Sequence, residues 1–192
     1  RAPAGVGGRV DVVARLEVDE DLAGELGVEA VRHAAGPQRG LPDQGAALVG
    51  LTFLGKSANS TTMPSLAKVT KGHLLDCVFD GQLNYFTYTS GALVTIATGW
   101  VRGCTFRGAK GGTTVGALSA TKALVESCVF TNNICTSSVI GLGAGTIMRN
   151  CVVADNTPTY SNVNGGGLSV GGRGCLIENC TIANNRNFIS GT

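Results

Sequence analysis

Charged residues make up only 15% of this 192-residue chain, and aromatic residues only 5%. So few charges leave little material for long solvated helices and favour strands and turns. The net charge is +2, so the whole-molecule field supports neither a nucleic-acid binder nor a sponge for polyanions. No run of about 18 apolar residues occurs, which leaves no membrane-spanning helix. The N-terminus carries no signal-peptide pattern. There are only two histidines and no CxxC spacing, which argues against zinc. GGG (165–167) and KGG (110–112) lack the GK[ST] ending and the strand–loop–helix setting of a phosphate loop, and read as turns. The chain starts at Arg1 rather than Met and stops at Thr192 shortly after a repeat. A processed product, or a fragment truncated at its C-terminal end, is the expectation.

Glycine is abundant, at 29 residues, and the composition changes sharply near residue 45. Residues 1–45 hold eight of the thirteen acids and no Ser, Thr, Asn, Cys, Lys, Ile, Phe, Tyr or Trp. Those residue types dominate from 46 onward. This divides the chain into two units: an N-terminal cap or leader over 1–45, and repeats over 46–192. Within the first, GRVDVVARLEV (8–18) alternates as a strand does. Asp19 or Asp21 then opens DLAGELGVEAVRHAA, which reads as a short helix stopped by Gly36-Pro37. Such a strand and helix would cap the N-terminal end of the repeats. No comparable cap is visible after Asn185, so the last rung is expected to stand exposed.

Five of the seven cysteines fall in one phrase: LLDCVFDG (74–81), VRGCTFRG (101–108), VESCVFTNN (125–133), MRNCVVADN (148–156) and IENCTIANN (177–185). LVGLTFLG (48–55) is an earlier copy with Leu51 in the cysteine's place, and the copies step by 26, 27, 24, 23 and 29 residues. Period is the first thing to establish in a repetitive chain. Three residues before the cysteine stand Leu48, Leu74, Val101, Val125, Met148 and Ile177; two after it stand Phe53, Phe79, Phe106, Phe130, Val153 and Ile182. Side chains alternate along a strand, so the cysteine and the residue two later share the inner face. Four after it stand Gly55, Gly81, Gly108, Asn132, Asp155 and Asn184, the types that tolerate left-handed backbone, so a bend recurs there. A second phrase brings small residues into an inward leucine: Leu66, Leu93, Leu118, Leu142 and Leu168. Thr62, Thr89, Thr114, Ser138 and Asn164, four residues earlier, could stack and hydrogen-bond along the repeat axis.

These phrases resemble the right-handed parallel β-helix repeats of the pectate-lyase-like superfamily. FTNN (130–133) and GGGL (165–168) are also similar to the repeats of bacterial polymorphic outer-membrane adhesins. The resemblance covers about residues 46–188. It implies an all-β, right-handed parallel β-helix; the six copies of the phrase make it about six coils, behind the strand and helix cap read in residues 1–45.

The outer positions carry less. Arg102, Glu126, Arg149 and Glu178, two before successive cysteines, alternate in sign and would form an ion-pair ladder between rungs about 4.8 Å apart. The column cysteines read as buried free thiols acting as small hydrophobes. A bridge between rungs stays open, as does pairing of Cys135 or Cys175 with a column member. His33 and His73 have no convincing partner nearby in sequence. Polysaccharide lyases of the resembled fold use an acidic calcium cluster and an Arg or Lys base. The comparable residues here are Asp76 and Asp80 with Arg107 and Lys110, a thin set for calcium. Trp100, Tyr85, Tyr88 and Tyr160 are the aromatics that could meet a sugar. No catalytic, cofactor or metal site is recognisable. The expectation is a secreted or cell-surface solenoid with a structural, adhesive or ligand-presenting role. Its expected partners are polysaccharide or itself through the exposed last rung, with no nucleic acid and no membrane insertion. A secreted carbohydrate-active enzyme, lyase or hydrolase, is the alternative.

Overall fold

The computed structural model describes residues 29–32, 46–54, 65–81, 92–110, 115–135, 138–158 and 167–186. Among them the chain is a parallel β-solenoid with three faces. Sheet 1 stacks Ala46–Val49, Gly72–Leu75, Gly99–Arg102, Ala123–Glu126, Ile147–Arg149 and Leu176–Glu178. Sheet 2 stacks Leu51–Leu54, Val78–Asp80, Thr105–Arg107, Val129–Thr131, Val152–Ala154 and Thr181–Ala183. Sheet 3 stacks Ala67–Val69, Val94–Ile96, Val115–Ala120, Ser138–Leu142 and Leu168–Val170. Five described coils therefore carry all three strands and the first carries two, slightly fewer than the six expected. A short fourth strand, Ile134–Cys135 pairing with Thr157–Pro158, widens two of the coils.

Sheets 1 and 2 meet at the cysteine corner, and the sequence explains why the chain turns there. The residue before each corner has positive φ: Gly50, Asp76, Gly103, Ser127, Asn150 and Asn179. The bend expected four residues after the cysteine is present at Gly108, Asn132, Asp155 and Asn184, all with positive φ. The four sheet 2 strands from Thr105–Arg107 onward are thus held between two left-handed residues, mostly Gly, Asn and Asp, which adopt that conformation at little cost. Gly81, in the bend position after Val78–Asp80, does not have positive φ, and Gly55 lies outside the described residues. Within sheet 2 the phenylalanines expected inside are fully buried and stack face to face. Phe53, Phe79, Phe106 and Phe130 have successive ring centroids 4.8, 5.0 and 4.6 Å apart.

Just past the second bend, at the last residue of three cysteine phrases, lies a hydrogen-bonded column. Asn133, Asn156 and Asn185 stack in one column and use both halves of their amides. Asn133 Nδ2 donates to the Phe106 carbonyl (3.1 Å) and to Asn156 Oδ1 (2.9 Å). Asn156 Nδ2 repeats this with the Phe130 carbonyl and Asn185 Oδ1. The same oxygens accept the backbone N–H groups of Ala109, Asn133 and Asn156. A buried turn is thereby satisfied without water.

Two expectations are corrected. Glu29–Arg32, inside the expected helix, is a strand pairing antiparallel with Leu51–Leu54, Glu29 opposite Leu54 and Arg32 opposite Leu51. The first sheet 2 strand would otherwise present a row of unpaired N–H and C=O groups, and an extended segment satisfies them where a helix does not. The rest of that helix and the strand over 8–18 lie outside the described residues. In sheet 3 the leucines do not share one column. Leu118 pairs with Val94 and Ile140, not with Leu93 and Leu142, and Val94 pairs with Ala67, not Leu66. The strands slide so that each coil closes despite its own loop length, and a bulge between Val115 and Leu118 absorbs part of the slip. Leu66, Leu93, Leu118 and Leu142 are nonetheless all buried. Of the expected polar stack, Ser138 is buried opposite Val115; Thr62, Thr89, Thr114 and Asn164 lie outside the described residues.

Both stacks can be tested by urea unfolding. Phe106→Ala should cost about 3–5 kcal/mol, against less than about 0.5 for Thr131→Ala on the outer side of the same sheet. Asn156→Ala strands the Phe130 carbonyl and the Asn133 N–H, and should cost about 1–3 kcal/mol for each group left unpaired.

Candidate functional site

With the inner faces filled by apolar residues, any chemistry has to come from side chains pointing outward. In sheet 1 the outward columns are those of His73 and Trp100 and of Arg102, Glu126 and Arg149, on either side of the inward Leu74, Val101, Val125 and Met148. The sequence-predicted ion-pair ladder forms on three rungs. Glu126 accepts from Arg102 Nε (2.6 Å) through Oε2 and from Arg149 Nε (2.7 Å) through Oε1. Its carboxylate is therefore shared between the rung below and the rung above. The Glu126 side chain is 11% exposed, while the two arginines are 48% and 41% exposed, so burial falls on the group with two partners. The hydrogen bond from Arg102 holds the Glu126 carboxyl below its usual range; burial opposes this and Arg149 adds to it. Glu178, in register with Arg149 on the last described rung, is exposed, and no ion pair joins the two among the described residues.

Trp100 is half-buried under this column. The Arg102 guanidinium lies 5.2 Å from its ring centroid, and His73 meets it edge to face at 5.6 Å. Its ring is thus engaged by a cation and an imidazole from the protein itself. His73 is buried, and neither ring nitrogen has a hydrogen-bond partner. His33, Tyr85, Tyr88 and Tyr160 lie outside the described residues.

The residues of the expected lyase patch fall on different elements. Asp80 and Arg107 are register partners in sheet 2, joined by a 2.8 Å bond from Arg107 Nε to Asp80 Oδ2. Asp76 sits on the other side of Cys77, at the positive-φ corner, with its carboxylate against Gly103 of the next coil. A Cβ at Gly103 would collide with that carboxylate, so glycine there answers both a left-handed backbone and a close neighbour. Lys110 forms a backbone bridge with Ile134, one bend further on. The four residues are spread over two sheets and their corners rather than converging on one point. No group of three or more His, Cys, Asp or Glu that could hold a metal occurs among the described residues.

All seven cysteines are free. Each column thiol donates to two carbonyls, that of the residue two before it and that of the inward residue one coil below; Cys128, for example, reaches the Glu126 and Val101 oxygens at 3.3 Å each. Hydrogen bonding with Cys128 first, and burial after it, push the Cys104 and Cys151 thiols above the ordinary range. Burial alone pushes Cys135 up to about 12.

Compared with known families, residues 86–191 match the model described as a right handed beta helix region. The chain belongs to this family. The right-handed winding agrees with the general preference of parallel crossovers. No curated protein and no solved structure matches the chain. Membership of the β-helix family thus fixes the architecture and says nothing of substrate.

The ladder predicts a pH dependence. Because the folded Glu126 carboxyl titrates below its unfolded value of about 4.3, its contribution is complete above that value and is lost as pH falls through the folded one. Glu126→Gln should therefore lower stability at pH 7 by about 1–3 kcal/mol, and the gap to the parent should close toward pH 3 in urea titrations. For the thiols, native-state labelling should modify the half-buried Cys175 and Cys180 first. Cys104, Cys135 and Cys151 should react only on unfolding.

Proposed function

We propose that this β-helix is a secreted or cell-surface module whose work is structural, adhesive or ligand-presenting, with polysaccharide as the ligand class. One observation carries the reading: the outward charges nearest to a lyase-like set are bound to their neighbours one rung away. Arg102 and Arg149 are bound to Glu126, and Arg107 to Asp80. A general base or a calcium site needs carboxylates and cations aimed at a shared vacant position. Here the same residue types face one another along the solenoid axis, where they add inter-rung cohesion. The extracellular setting rests on the likeness of FTNN (130–133) and GGGL (165–168) to surface-adhesin repeats. Three stacked sheets around a solid core give a stiff rod, on which loops between strands are the places where a ligand would be met.

The test is incubation of the protein with a panel of uronate-containing polysaccharides, with and without calcium. Ultraviolet absorbance of unsaturated products and retention on the immobilised polysaccharides are both read. Retention without product is the expected result. Calcium-dependent product that disappears in Asp80→Ala or Arg107→Ala would replace this reading with a lyase. Either variant removes a half-exposed ion pair worth at most about 1 kcal/mol, so each should stay folded.

A further inference from the structure

Charge is distributed unevenly around the solenoid. From Asp76 onward the described acids are Asp76, Asp80, Glu126, Asp155 and Glu178, and all lie in sheets 1 and 2 or at the bends that flank sheet 2. Sheet 3 and the turns leading from it into sheet 1 span 65–71, 92–98, 115–122, 138–146 and 167–175, and hold no Asp or Glu. They hold Lys68, Lys71, Lys122 and Arg173 instead, all exposed. None of these cations forms an ion pair among the described residues, whereas Arg102, Arg107 and Arg149 each do.

Register sets the cations in a row along the corner between sheets 3 and 1. Lys71, Thr98 and Lys122 immediately precede Gly72, Gly99 and Ala123, which are paired in sheet 1. One coil on, Gly145 takes the place of Lys122, and a Cβ there would meet Lys122 Cγ at 3.7 Å. Arg173 lies on the coil after that, its carbonyl accepting the Gly145 N–H. The cations thus stand on alternate rungs, about 10 Å apart, with the small Thr98 and Gly145 between them. Lys68 points out of sheet 3 close to Lys71, in register with Thr95. Lys122 carries a further sign of use. Its φ is 46°, in left-handed backbone, where the next coil has Gly145 with φ 70°. Glycine would serve that turn at less cost, so the strain points to a use for the lysine side chain itself.

We propose that this row binds an acidic polysaccharide lying along the solenoid axis, with a carboxylate facing the row at every second sugar. The inference rests on the polysaccharide reading above and names the ligand's chemistry and its place. A sugar in an extended chain is close to one rung long, so carboxylates on alternate sugars meet cations on alternate rungs. Binding is by charge rather than ring stacking, since the segments forming this face hold no Phe, Tyr or Trp. The net charge of only +2 does not oppose it, because exposed charges act over about 10 Å and the acids lie on other faces. Duplex phosphates, about 3.4 Å apart along each strand, do not match the interval.

The probe is immobilised hyaluronan, which carries a uronate at every second sugar and no sulfate; the full chain is applied and eluted with salt. Retention that weakens as salt rises is expected. Lys71→Ala, Lys122→Gly and Arg173→Ala combined should lower affinity on the order of tenfold, with the urea midpoint unchanged. Lys122→Gly with Thr98→Lys keeps the net charge but breaks the alternation, and should bind roughly threefold more weakly than the parent. Equal binding by that shifted variant would overturn the proposal, as would full retention of the triple variant or retention on other uronates but not on hyaluronan. Each of these leaves polysaccharide binding itself standing. Absence of retention on every polysaccharide would remove that reading and this inference together. Stronger retention on single-stranded DNA or on anionic vesicles would reassign the row and likewise overturn it.

Discussion

Everything in this molecule is subject to the distance between stacked parallel strands, about 4.8 Å. At that spacing a side chain's nearest neighbour is its own counterpart one coil away. A position is therefore selected less for what it packs against across the core than for how well it stacks on itself. Phenylalanine does this well, since flat rings tolerate close parallel contact, and four of them run down sheet 2. Cysteine fills the tight corner with a small polarisable group, and its thiol reaches two carbonyls that the turn would otherwise leave less well satisfied.

Polar groups meet the same constraint in two different ways. An amide carries a donor and an acceptor, so asparagine stacks on asparagine and each member satisfies the next. A carboxylate or a guanidinium cannot stack on its like, so charge must alternate, and Arg102, Glu126 and Arg149 do so. One column is homotypic and the other alternating for a single reason. This also separates the interior from the exterior: asparagine, being neutral, can be fully buried at Asn133 and Asn156, while the charge column keeps its arginines half in water.

The stacking rule explains what was legible in the sequence. The cysteine phrase has fixed internal spacing, because corner, strand and bend are rigidly joined, so its columns align from copy to copy and the fold is readable from them. Sheet 3 lies on the far side of loops of unequal length, and there the leucine phrase misled: Leu93 stands one place from the residue that meets Leu118. The asparagines stand aligned at the ends of three cysteine phrases, but the residues alone did not say that they turn inward and bond to one another. The column also begins only at Asn133, with Ala109 in the corresponding place below. The strand at Glu29–Arg32 could not be read from its own residues, since what makes it a strand is the open edge of Leu51–Leu54. For the outer face, the Arg102–Glu126–Arg149 ladder and the Asp80–Arg107 contact come from register alone. The engagement of Trp100 by His73 and Arg102 does not, because it depends on which side of the strand each rotamer leans.

The outer face of sheet 1 is also uneven along the axis. In the charge column the first two members are Val49 and Leu75, and Leu75 is 2% exposed although it points away from the core. His73 in the neighbouring column is likewise buried. Two coils later the same columns hold Leu124 beside Glu126, then Ile147 beside Arg149, and exposure rises to 37% at Ile147 and 46% at Leu176. The change from apolar to charged in the charge column begins at Arg102, which is exposed, and continues through the buried but doubly paired Glu126 to the half-exposed Arg149. A covered outward position takes a charge only where partners hold it, as Arg102 and Arg149 hold the buried Glu126, since an unpaired buried ion would cost on the order of several kcal/mol. A bare one gains solubility from charge and loses little. The coils from Gly99 onward are therefore the ones whose outer sheet 1 face is built from ion pairs, with the arginines held half in water.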